Sequence, residues 1–196
     1  DMAGIINEAL QNYRDHDVLC FRMTSKKGEN LDRIPVDNET GCYSGVPEEI
    51  SQHRHDRIAY HYPPELDRRK VWTTYYNEPS KEACDMDYLG RLALNDAMLC
   101  LRDGYKYLAW GWSGGTPEPE FWDNPYVIEY LELCAQYPDE LGINMHLYSL
   151  NDYDLFHNYE WQVGRYKDIY EACDRHGIGY PTIISAETGW GESAML

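Results

Sequence analysis

Strand-like apolar runs alternate with helix-like stretches from Val71 onwards, and this alternation constrains the fold more than any other feature of the chain. The run Val71-Trp72-Thr73-Thr74-Tyr75-Tyr76 is followed, from about Ser80 to Arg102, by Leu89, Leu92, Ala93, Ala97 and Leu101 at helical spacing, with Gly104 as a stop. Three further strands are expected: Tyr107 to Trp112, Ile143 to Tyr148 and Thr182 to Ala186. Helical patterns over Pro125 to Tyr137 and Tyr159 to His176 separate them. Upstream, a helix-like stretch from Ile5 to Tyr13 feeds a strand-like run from Val18 to Met23, and a weakly helical stretch runs from Pro47 to Tyr60. Residues 24 to 50 otherwise read as a long loop. Strands separated by helices pair in parallel, so the expected class is α/β.

The polar residues fall at one end of these strands. Glu78, Trp112, His146, Tyr148 and Glu187 all stand at or just after a strand C-terminus, the face on which a (β/α)8 TIM barrel carries its active site. No glycine-rich nucleotide-binding loop follows a strand, which removes the usual site of an open sheet. The expected architecture is therefore a single (β/α)8 TIM-barrel domain over residues 1–196. A complete barrel takes about 250 residues and eight strands, so this one is expected to be incomplete, with the first strands and the eighth not evident. The chain starts without Met and stops soon after Glu187, which suggests part of a longer or processed polypeptide.

Two of the strand ends carry glutamates, in Asn77-Glu78-Pro79 and in Glu187-Thr188-Gly189-Trp190. Two carboxyls facing each other are the minimal equipment for cleaving a glycosidic bond. One, ionised, attacks the anomeric carbon, and the other, protonated, releases the leaving oxygen; a less polar setting and a neighbouring negative charge favour the protonated state.

With His146-Leu147-Tyr148 added, these motifs make the chain resemble the retaining β-glycosidases of glycoside hydrolase clan A, over roughly Val71 to Gly191. The resemblance implies Glu78 as acid/base and Glu187 as nucleophile, with three βα repeats between them. It also implies that Asn77 binds the sugar 2-hydroxyl and that His146 or Tyr148 orients Glu187.

Tyrosine and tryptophan are in excess, 18 and 6 against 3 phenylalanines, and such rings stack on sugars while hydrogen-bonding hydroxyls. Trp110, Trp112, Trp122 and Trp190 are candidate sugar platforms, whereas Trp72 and Trp161 read as packing. The expected partner is a β-linked poly- or oligosaccharide, which carries with it an expectation of a secreted or extracellular protein. The formal charge of −17 argues against nucleic acid, whose phosphates bind Lys and Arg. No apolar stretch approaches the eighteen or so residues of a membrane span.

Six widely spaced cysteines include no C-x-x-C pair, and no metal or cofactor is expected. Cys100, Cys134 and Cys173 fall at apolar helix positions, and His53, His55, Asp56 and His61 read as a solvated face. Two rival functions are legible. Gly111-Trp112-Ser113-Gly114-Gly115 fits the G-x-S-x-G elbow of a serine esterase, although two prolines among Pro117 to Pro119 make a poor first helical turn; contact between Ser113 and a histidine would discriminate. A barrel fragment that binds carbohydrate without turning it over is the other.

Overall fold

The computed structural model describes Glu8 and residues 20–22, 34–149 and 151–190. Apart from Glu8, the helix expected over Ile5 to Tyr13 lies outside the described residues. The remaining elements follow local signals. Pro47 opens helix α1 (Pro47–His61) with Glu48 and Glu49 in its first turn, and the backbone turns extended at Tyr62, ahead of Pro63-Pro64. Helix α2 (Met86–Asp103) ends at Gly104. Helix α3 (Pro125–Gln136) is capped by Asn124, whose side chain accepts the Tyr126 N–H at 3.0 Å. A short helix, α4 (Asp152–His157), and a 3-10 turn (Tyr159–Trp161) precede helix α5 (Lys167–His176), so the helix expected from Tyr159 begins only at Lys167.

Among the described residues five strands form one sheet: β1 (Cys20–Arg22), β2 (Trp72–Thr74), β3 (Lys106–Trp112), β4 (Leu141–Ser149) and β5 (Thr182–Trp190). All neighbours are parallel and the strand order is the chain order. Right-handed crossovers between successive strands put the connecting helices on one face. α2 packs there against α1, α3 and β3, burying Leu89, Leu92, Ala93, Ala97 and Cys100.

The α/β class stands, but the (β/α)8 barrel, complete or partial, is corrected. Among the described residues the sheet is open: β1 and β5 are its edges and each has a single neighbour. The physical reason is that a βα rhythm and polar strand ends belong to any parallel sheet with helical crossovers, and neither counts strands nor closes the sheet.

Polar groups hold the helical layer to the sheet. Asp96 of α2 is fully buried and accepts from the hydroxyls of Tyr76 and Tyr107, both at 3.1 Å, with Arg54 Nη1 at 3.8 Å. The Arg54 guanidinium lies 4.1 Å over the Tyr76 ring. Burial pushes the Asp96 carboxyl up to about 6, against the pull of Arg54 and the hydroxyls that bond it. His55, expected on a solvated face, is buried instead and pairs with Asp103 at 2.7 Å. A disulfide joins Cys42 to Cys84, while Cys100, Cys134 and Cys173 are free thiols inside the protein.

Candidate active site

Two one-residue bulges shape the C-terminal end of the sheet. Gly111 is the extra residue of β3 against β4, and Ala186 is the extra residue of β5 against β4. The second bulge sets Glu187 in register with His146, so both side chains leave the same face of the sheet. The Ala186 N–H donates to Asn144 Oδ1 at 3.3 Å, and the Asn144 amide reaches Thr74 Oγ1 at 3.5 Å. β5 continues to Trp190, so Glu187 lies within the strand rather than at the end expected at Ala186.

The first bulge anchors the other glutamate. Glu78 donates its N–H to Gly111 O at 2.8 Å and holds a left-handed backbone at φ 49°. An L-residue there costs about 1–2 kcal/mol, and strain of this kind collects at functional sites. Trp110, beside the bulge, is strained likewise at φ 63°. Gly111 itself has φ 127°, and a β-carbon on it would stand 2.9 Å from Tyr76 O and 3.0 Å from Asn144 Nδ2. Only glycine fits.

These devices bring Glu78, His146, Tyr148 and Glu187 together. His146 is buried, and its Nδ1 lies 3.3 Å from Glu78 Oε1 and 3.6 Å from Glu187 Oε2. One oxygen of each glutamate and a ring nitrogen of His146 lie within 4.8 Å of one another. The same three groups could hold a divalent cation. Tyr148 donates its hydroxyl to Glu78 Oε1 at 3.0 Å, so of the two residues the resemblance offered to orient Glu187, His146 is the one 3.6 Å from it. Burial, and then the Glu78 carboxylate, raise the Tyr148 phenol above its ordinary value, so it stays a donor at neutral pH. Asn77 and Glu78 face solvent where β2 ends.

The tryptophans divide otherwise than expected. Trp110 and Trp112 are each 1% exposed and Trp122 is fully buried, all packed around Phe121 with ring centroids about 5 Å apart. Core rings present no face to a sugar, so Trp110, Trp112 and Trp122 are corrected from platforms to packing. Trp190 ends β5, and its ring lies outside the described side chains. Trp72 is core, as expected, but Trp161 is 49% exposed.

The serine-esterase elbow is not assembled. Ser113 Oγ pairs with Thr116 Oγ1 at 3.1 Å in a turn closed by Thr116 N–H on Ser113 O, and the next helical residues form a 3-10 turn from Pro119. A surface pocket of about 590 Å³ lies at the opposite end of the sheet, lined by Tyr62, Arg68, Asp103 and Tyr105, which precede the strands. It is remote from the carboxylates, whose convergence is the better guide to chemistry. Among the described residues no helix is long and apolar enough to cross a membrane. No protein-family model matches the chain, and no curated protein matches its sequence.

Proposed function

We propose that the protein is a retaining glycoside hydrolase acting on β-linked poly- or oligosaccharide. The observation that carries the reading is the approach of the Glu78 and Glu187 carboxylates to within 4.8 Å of each other. Retention needs carboxyls about 5–5.5 Å apart, whereas inversion leaves about 6.5–9.5 Å for a water. The likeness to the clan A β-glycosidases rests on the motifs rather than on the sheet.

In the first step the Glu187 carboxylate attacks the anomeric carbon while the Glu78 carboxylic acid protonates the departing glycosidic oxygen, which leaves as an alcohol. The Glu187 ester carries no charge, so Glu78, now a carboxylate, takes a proton from water; the hydroxide formed attacks the same carbon and frees Glu187. His146 Nδ1 stands between the two carboxylates, 3.3 Å from Glu78 and 3.6 Å from Glu187, and Tyr148 fixes the Glu78 oxygen it donates to, which supports a pair set at reacting distance. Asn77, one residue before the acid, binds the 2-hydroxyl. The Cys42–Cys84 disulfide supports a secreted or extracellular setting, where such bonds persist.

Glu187→Gln should abolish hydrolysis of an aryl β-glycoside, and Glu78→Gln should slow it about 10²–10⁴-fold on substrates with a poor leaving group. Product anomers followed by NMR should show net retention. Unchanged release by Glu187→Gln would sink the reading, whereas no release by the unsubstituted protein would leave carbohydrate binding without turnover. Activity that required an added divalent cation and vanished with a chelator would replace it with metal-assisted hydrolysis at the same three groups.

A further inference from the structure

Beyond the carboxylate pair, we propose that Trp161 is the stacking platform of a subsite for neutral β-linked polysaccharide, set beside the reacting carboxylates. The inference rests on the glycosidase reading and adds where the chain of sugars runs and which chemistry of polymer it takes.

The segment after β4 leaves four aromatic rings in solvent within nine residues: Tyr153 at 66%, Phe156 at 78%, Tyr159 at 39% and Trp161 at 49% exposure. Exposed apolar rings grouped in this way mark a binding surface more often than a packing accident. Trp161 is also held in place. The Arg165 guanidinium stacks 4.1 Å from its ring, and Arg165 is itself 3% exposed, donating to Pro117 O at 2.9 and 2.6 Å and to Glu118 at 3.2 Å. A buried cation beneath a half-exposed indole fixes the ring without covering it.

Two glycines link this ring to the site. A β-carbon on Gly115 would stand 3.3 Å from Trp161 Nε1, and one on Gly114 would stand 2.7 Å from Tyr148 O. The backbone of Gly114-Gly115 is therefore a thin spacer between Trp161 and the tyrosine that bonds Glu78. A pyranose offers an apolar C–H face to an indole and hydroxyls to its surroundings, which here include Glu118 and the exposed Glu160. A net charge of −17 repels uronic-acid polymers, so the polymer is neutral.

The test is affinity electrophoresis of the full chain and of its Glu187→Gln variant in gels containing soluble β-glucan, mannan, xylan or galactan, with polygalacturonate as the anionic control. At least one neutral polymer should retard the protein. Trp161→Ala should weaken that retardation about tenfold, and Trp161→Phe should recover part of it, which also controls for folding. Equal retardation of the Trp161→Ala variant, no retardation of the parent by any neutral polymer, or retardation by polygalacturonate alone would overturn the proposal. Retardation lost in Trp161→Ala with no aryl-glycoside hydrolysis by the unsubstituted protein would leave the platform standing and remove the enzyme.

Discussion

The site is built from individual residues held in unfavourable conformations for a geometric purpose. Glu78 at φ 49° and Trp110 at φ 63° flank a backbone junction that Gly111 alone makes possible, because Tyr76 O and Asn144 Nδ2 occupy the space a side chain would need. Gly111→Ala should therefore cost about 2–4 kcal/mol in chemical denaturation, from the steric clash together with the positive φ, and activity should fall with it because the Glu78 N–H bonds to Gly111 O. That Glu78, His146, Tyr148 and Glu187 gather at one end of the sheet was legible in the sequence, since all four stand in or after the C-terminal half of a parallel strand, although Glu187 lies within β5 rather than after it. The tryptophans were not. β3 is buried from Tyr107 to Trp112, so alternation along it carries no sign of which ring faces outward. Trp161 was hidden for another reason: it stands in a stretch whose apolar spacing suits a helix, but which forms a 3-10 turn.

Among the elements, α2 carries the most revealing feature, a carboxylate in the interface between helix and sheet. The Asp96 carboxyl, ordinarily near 3.8, is raised to about 6 chiefly by burial, so folding favours its protonated form. The stability it contributes is fully present below about pH 4 and is lost as pH rises through 6. Thermal unfolding between pH 4 and 6 should show this decline, and Asp96→Asn should flatten it. Asp96→Ala should cost about 3–5 kcal/mol at pH 7, because it removes the carboxylate beside the buried Arg54 guanidinium and the acceptor of the Tyr76 and Tyr107 hydroxyls. Pro47, Pro125 and Gly104, whose backbone preferences are local, marked ends of α1, α3 and α2, whereas α4 was not expected and α5 begins at Lys167 rather than Tyr159. Asp96 could not be identified in advance, since a helical aspartate reads as solvent-facing until its neighbours are known.

For the whole molecule, the chain order of the strands was legible and their closure was not, because closure depends on pairing between distant segments that leaves no local pattern. The disulfide is the same kind of long-range fact: Cys42 and Cys84 carry no motif, yet their bond ties the loop before α1 to the turn before α2. Next to it, Tyr43 accepts the Ser80 N–H at 2.8 Å, two residues beyond Glu78, and donates its own N–H to Asp85. Loop-closure entropy over the 42-residue separation puts the bond at about 4 kcal/mol, so the Cys42→Ser/Cys84→Ser variant should unfold at correspondingly lower urea than the oxidised protein. The open sheet bears on the two glutamates as well. Glu78 follows β2, in the interior of the sheet, whereas Glu187 belongs to β5, whose ladder among the described residues runs along β4 alone, from Gly142 to Ser149. Peeling that outermost ribbon would part the two carboxyls while the aromatic centre stayed intact, so among the described residues the persistence of the Glu78–Glu187 pair is set by the grip of a single ladder, and the pair can open and re-form without global unfolding.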